Sequence, residues 1–142
     1  MDRRTLIVTF GAIVAAQGVA WAQASATQGD PVAMIRAVMA DYAADKSPEP
    51  PYSPAVANRL RTAEIDADFI LDAQDVEIKN VTVTGLAASA DRAEVEARFL
   101  SFGKSRQVKF DFRLVDGRWM IANVRDQKGF DLRRRLKLPP LG

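Results

Sequence analysis

Between Glu64 and Glu77 lie six acids, Glu64, Asp66, Asp68, Asp72, Asp75 and Glu77, with no basic residue among them. Carboxylates at this density could hold a hard cation. Asp66, Asp68, Asp72 and Glu77 even occupy positions 1, 3, 7 and 12 of an EF-hand frame. The rest of the frame fails, because position 5 is Ile70 and position 6, where a glycine makes the sharp turn, is Leu71. The stretch therefore reads as a solvated acidic connection whose Phe69, Ile70 and Leu71 plug into a core, and no metal site is expected. The chain also has no histidine and no cysteine. That removes Ser-His-Asp and Cys-His nucleophile systems and every zinc, copper or haem site built on imidazole or thiolate. No cofactor is expected, and acid-base chemistry would have to use Asp, Glu, Lys or Tyr.

The second charged feature is basic. Lys128, Arg133, Arg134, Arg135 and Lys137 stand against the single acid Asp131, while Leu132 and Leu136 sit one helical turn apart. Asp131 is placed to cap a short helix that docks the two leucines and exposes its arginines. Such a patch could touch anionic lipid, cell-wall polymer or an acidic partner, although contact with the chain's own acidic stretch is the simpler reading. No aromatic residue interleaves Arg133, Arg134, Arg135 and Lys137, so a nucleic-acid partner is not expected. Trp119 is an aromatic candidate for ligand contact, but it reads more readily as a core anchor.

The elements that must position these groups follow from periodicity. Asp30 is a suitable N-cap with Pro31 in the tolerated first helical position. Val32, Ile35, Val38, Met39 and Tyr42 then line one face of a helix. Pro48, Pro50, Pro51 and Pro54 interrupt it and predict an extended run over the surface. Ser53 and Pro54 open a second helix, with Val56, Leu60 and Ala63 as its apolar stripe to about Ile65. From Val76 the period changes to two. Val76, Ile78, Val81 and Val83 alternate with polar residues but slip phase at Lys79 and Asn80, which predicts a β-bulge. Ala93, Val95, Ala97 and Phe99 alternate with Glu94, Glu96 and Arg98; Val108, Phe110, Phe112 and Leu114 alternate with Lys109, Asp111 and Arg113. Asp116-Gly117 is a two-residue hairpin signal leading into Arg118 to Val124. Four strands joined by short turns predict an antiparallel meander, and the preceding helices predict an α+β domain with those helices covering the concave side.

The chain opens with an export signal. Arg3 and Arg4 precede an uncharged apolar run from Leu6 to Val19, and Ala22-Gln23-Ala24 is an A-x-A cleavage signature, with Ser25 the first residue after it. The apolar run is short of the roughly 20 residues that cross a bilayer core, and no later segment reaches that length. Residues 1–24 are thus read as a signal peptide and 25–142 as one domain, periplasmic or secreted. Arg3-Arg4 followed by Leu6-Ile7 also resembles a twin-arginine signal, which leaves two export routes open. With 48% hydrophobic and 27% charged residues the composition is that of a folded domain. Without cysteines it must hold together by apolar packing alone, although the compartment permits disulfides. A net charge of +2 falls further when Asp2, Arg3 and Arg4 leave, which again offers nothing to nucleic acid.

The helices, the proline-rich connection, the bulged meander and the Asp116-Gly117-Arg118-Trp119-Met120-Ile121 hairpin together resemble the nuclear-transport-factor-two-like, or cystatin-like, superfamily. Leu71-Asp72-Ala73-Gln74-Asp75 behind a signal peptide is similar to a secreted proteobacterial family of unknown function within it. The resemblance implies a cone-like half-barrel with a pocket in its helix-lined mouth, in a superfamily of isomerases, dehydratases and pure binding modules. It implies either a binding domain for a small apolar ligand or a protein partner, or an enzyme with an Asp base and a Tyr donor. For the enzyme, Asp72, Asp75 and Tyr42 are the nearest equivalents, and Tyr42 is equally the candidate for contact with a ligand. An immunity-type protein or an envelope-associated protein using the basic tail are the remaining variants. Fold alone does not choose among them.

Overall fold

The computed structural model describes residues 29–65 and 68–142, so the segment read as an export signal, with the cleavage expected at Ala22, Ala24 and Ser25, and Asp66 lie outside the described residues. Helix α1 spans Pro31–Ala43 and α2 spans Pro54–Leu60. The strands are β1 (Ile78–Ala88), β2 (Arg92–Ser101), β3 (Lys104–Val115) and β4 (Arg118–Asp126), and a short helix α3 (Leu132–Arg135) follows. The four strands form one open antiparallel sheet in the order β1-β2-β3-β4, which makes the molecule α+β.

The local signals act as their chemistry dictates. Asp30 accepts the Val32 N–H at 3.0 Å and starts α1 ahead of Pro31. Asp116 and Gly117 both have positive φ, 52° and 77°, the conformation of a tight hairpin whose twist matches its strands. Phe102 and Gly103 do the same between β2 and β3, so that turn falls one residue earlier than the Gly103 to Ser105 spacing predicts. The bulge predicted at Lys79 and Asn80 is present: the β1–β2 register slips between Lys79 and Thr82, and Asn80 takes φ 57°. A second slip lies between Gly85 and Ala87.

Three expectations need correction. The second helix ends at Leu60, so Ile65 lies outside it, and the Ser53 side chain makes no capping bond; its hydroxyl is buried without a partner while its N–H goes to Ile121 O instead. Val76 precedes β1, which begins at Ile78, and β1 is exposed at most positions because it is an edge strand with two bulges. Glu96, expected on a solvated face, is buried, covered by hydrogen bonds from Arg98 Nε at 2.7 Å and from Gln107 Nε2.

One apolar cluster joins Ile35, Val38, Met39 and Tyr42 of α1 and Val56 of α2 to Val95, Ala97, Phe99, Val108, Phe110, Phe112, Trp119, Ile121 and Val124 of the sheet. Ile70 and Leu71, each 1% exposed, enter it from the acidic connection, and Leu132 and Leu136 enter it from the tail. At roughly 1.5–3 kcal/mol for each large side chain buried, this cluster is the main source of stability in a chain without disulfides.

The two sheet edges differ. At β4, Ile121 N donates to Pro51 O (2.7 Å) and Ile121 O accepts from Ser53 N (2.8 Å). Beyond that, Asp131 bridges Arg125, Asp126 N donates to Phe130 O, and the buried Asn123 side chain accepts from Arg133 N. At β1, no hydrogen bond among the described residues reaches the outward edge.

Candidate functional site

The acidic connection is folded around Asp68. Its Oδ1 accepts the N–H groups of Ile70 (2.8 Å) and Leu71 (3.1 Å), and its Oδ2 accepts the Tyr42 hydroxyl at 2.5 Å. These bonds turn the chain so that Ile70 and Leu71 point into the core. Burial, reinforced by the Asp68 hydrogen bond and charge, pushes the Tyr42 phenol far above its ordinary range. Tyr52 is raised too, by burial and then by Asp68. Both phenols are therefore neutral throughout the physiological range, and Tyr42 can donate a proton in a hydrogen bond but cannot serve as a base.

A second anchor comes from β3. Arg106 is buried, pairs with Asp126 (2.9 Å), and donates through Nη2 to the carbonyls of Phe69 (3.0 Å) and Ile70 (2.9 Å). Asp126 also accepts the N–H groups of Lys128 (2.8 Å) and Phe130 (2.9 Å), which turns the chain back after β4. Burial raises the Asp126 carboxyl, but the bonds from Arg106, Phe130 and Lys128 outweigh it and leave the group below its usual value. One guanidinium thus joins the acidic connection to the return of the tail.

Between these two segments is a surface cleft of about 380 Å³ lined by Glu64, Asp68, Phe69, Lys128, Phe130 and Arg135, among others. Its apolar part is aromatic: Phe69 stacks on Phe130 with centroids 5.7 Å apart and meets Tyr52 at 6.2 Å. In its charged part Lys128 pairs with Asp72 at 2.8 Å, while Arg135 donates to the backbone carbonyl of Glu64 at 2.6 Å. The volume falls in the range of small-ligand sites.

The tail is a short helix capped by Asp131, which accepts Arg134 N at 3.1 Å, with Leu132 and Leu136 buried as their spacing predicts. Its arginines bond to carbonyls. Arg133 reaches Ala122 O (3.0 Å) and Pro139 O (2.6 Å), Arg134 reaches Gly129 O (3.0 Å), and Arg59 from α2 reaches Leu136 O (2.7 Å). Arg133, Arg134 and Lys137 border a second surface cleft, of about 550 Å³, with Pro139 and Pro140.

The residues singled out for catalysis do not meet. Tyr42 is in the core beside Asp68; Asp72 is exposed, with φ 58°, and paired to Lys128; Asp75 is exposed and accepts its neighbour Val76 N. Trp119 is 2% exposed, which fits a core anchor. Sequence reasoning passed over Arg106, Asp126 and Phe130. Arg106 is in phase with the inward Val108, Phe110 and Phe112, but a charged residue at the start of a strand does not announce its partners, and only the return of the tail and the connection folded over it reveal its role. Among the described residues no acidic group forms a cluster fit to hold a metal ion, and no helix is long and apolar enough to cross a membrane. Comparison with protein-family models, with curated proteins and with solved structures finds no match for this chain.

Proposed function

We propose that this chain is an exported, non-enzymatic binding domain. Residues 1–24 direct it to the periplasm or beyond and are removed between Ala24 and Ser25. Its helices cover a curved sheet in the cone-like manner of the nuclear-transport-factor-two-like superfamily. It binds an amphipathic small molecule or a protein segment at the aromatic cleft where that cone would open. The observation that carries this reading is where bulk and acids are placed: Phe110, Phe112, Trp119, Ile35 and Val56 fill the interior that an enzyme would keep for substrate, while Asp72 and Asp75 stand at the surface. A carboxylate open to water is not held in an enclosed site against a substrate proton. The Phe69–Phe130 stack, half-buried and rimmed by charge, is the kind of surface that accepts an apolar body with a polar end.

The test is titration with an anilinonaphthalene sulfonate probe. Saturable one-to-one binding that Phe69→Ala and Phe130→Ala weaken, and that Asp72→Asn and Asp75→Asn leave alone, supports the reading. Turnover of a carbonyl substrate abolished by Asp72→Asn or Asp75→Asn would replace it with the isomerase or dehydratase alternative.

The tail supports a second reading, contact with the cell envelope. Arg133 and Arg134 spend their donors on neutral carbonyls, so their charge stays uncompensated. Binding to anionic vesicles that falls with salt and is lost in Arg134→Gln with Lys137→Gln supports it; salt-independent binding excludes it. Truncating the tail is the wrong test, because it removes Leu132 and Leu136 from the core.

A further inference from the structure

After α3 the chain closes in a turn whose sequence is not the one its geometry prefers. Leu138 N donates to Arg133 O at 2.8 Å and Lys137 N donates to Arg134 O at 3.1 Å, the two bonds of a Schellman closure. Such a closure puts its next-to-last residue in the left-handed region, where glycine is the usual occupant because it has no Cβ to clash. Here Lys137 stands there, with φ 60°. Positions that break a local rule tend to serve function, and Lys137 is exposed and lines the second cleft.

That cleft, of about 550 Å³, shares no lining residue with the aromatic one. Along it three cations, Arg133, Arg134 and Lys137, meet one acid, Asp131, whose Oδ1 already accepts Arg134 N at 3.1 Å. The two guanidinium groups are held in place by peptide oxygens. Arg133 is anchored twice, by Nε on Pro139 O (2.6 Å) and Nη1 on Ala122 O (3.0 Å), and Arg134 once, by Nη2 on Gly129 O (3.0 Å). Neutral anchors fix a planar group without cancelling its charge, and they leave Arg133 Nη2 and Arg134 Nη1 as donors for an incoming group. Groups already oriented lose little freedom on binding. Arg59, which reaches Leu136 O at 2.7 Å, adds positive charge behind the same turn. The rest of the lining, Leu138, Pro139 and Pro140, is apolar.

These groups suit a compact dianion. A carboxylate brings one charge and is satisfied by a single guanidinium fork, whereas a phosphomonoester brings roughly −1.5 to −2 near pH 7 and three acceptor oxygens. We infer that the tail cleft binds a phosphomonoester carried on an apolar body, its oxygens taken by Arg133, Arg134 and Lys137 and its body laid on Leu138, Pro139 and Pro140. The inference deepens the envelope reading of the tail but does not require a membrane, because a soluble alkyl phosphate and a phosphatidic acid headgroup offer the same chemistry.

Hexyl phosphate is the probe. Titrated at constant ionic strength into the protein purified from expression of the full chain, it should bind one-to-one and about tenfold more tightly than hexyl sulfate or hexanoate. Arg134→Gln should weaken it about tenfold. Lys137→Gly is the sharper variant: it should weaken binding by a similar factor while thermal stability stays level or rises, since glycine accepts φ 60° freely. Vesicles then assign the source. Tighter binding to phosphatidic acid than to phosphatidylglycerol at matched surface charge makes the group a lipid headgroup; hexyl phosphate bound with no vesicle binding makes it a soluble ester and ends the envelope reading alone. Equal binding to both vesicles with no hexyl phosphate bound keeps the envelope reading and overturns this inference. So do hexyl sulfate or hexanoate bound as tightly as hexyl phosphate, affinity unchanged in both variants, and a Lys137→Gly protein less stable than its parent, which would make the lysine a structural residue.

Discussion

The β4 and β1 edges of the sheet are equally extended backbone with opposite fates. β4 is closed by segments from both sides in sequence, Pro51 to Ser53 before the sheet and Phe130 to Arg133 after it, and the buried Ile121 and Asn123 hold Pro51, Ser53 and Arg133. Among the described residues nothing closes β1, yet it is the strand with the fewest charges. Of the buried polar residues among those described, Ser53, Arg106 and Asn123 belong to this closed side, while Glu96 and Ser101 lie on β2 beside the open one. Arg106, Asp126, Asn123 and Ser53 all serve the β4 side or its loops, so the two sides should differ sharply in how much a single substitution matters.

The largest effect is expected on the closed side. Arg106→Ala strands Asp126 and frees the Phe69 and Ile70 carbonyls. With both partners of the pair almost fully buried, 2% and 7% side-chain exposure, the loss should be about 3–5 kcal/mol in urea unfolding. A loss below 1 kcal/mol would mean that the connection is held by Ile70 and Leu71 alone. Leu132→Ala should cost about 2–5 kcal/mol by opening a cavity under α3, measured the same way. The acid limb gives the next contrast. Asp126 is held below the ordinary carboxylate range when folded. Its contribution is therefore complete above about pH 4–5 and is lost as pH falls through the lowered value. Asp126→Asn should flatten the acid limb of stability against pH, and an unchanged limb would assign it to other carboxylates. On the open side, Val81→Lys alone should change monomer stability by no more than about 0.5 kcal/mol, and a larger cost would place Val81 in the core. The smallest change belongs to Asp72→Asn, which breaks only an exposed pair with Lys128 and should cost about 0–1 kcal/mol.

Much of this fold can be read from spacing. Asp30-Pro31 starts α1, Asp116-Gly117 makes the last hairpin, Ile70 and Leu71 enter the core while Phe69, expected there too, stays half-buried in the cleft, and Lys79-Asn80 mark a bulge, because each rests on neighbours in sequence. What the sequence hides depends on neighbours in space. Glu96 is an outward residue that becomes buried once Arg98 and Gln107 close over it. Ser53 has every mark of a helix cap, yet its backbone is engaged by Ile121, a residue far along the chain. The candidate site is the least legible part. Asp72 and Asp75 attract attention as acids near Tyr42, but it is Asp68, indistinguishable from them by composition, that the chain turns toward the phenol.

The way the tail is fastened has a consequence for its behaviour in acid. A carboxylate gains a proton as pH falls and releases its cation, whereas a peptide carbonyl has no proton to gain over that span. The guanidinium groups of Arg59, Arg133, Arg134 and Arg135 hold peptide oxygens. Acidification below the ordinary carboxylate range, far enough to protonate Asp126, should therefore slacken the Arg106–Asp126 clasp while these carbonyl bonds persist, and the molecule would loosen from the middle of this side before the arginine contacts at its margin let go.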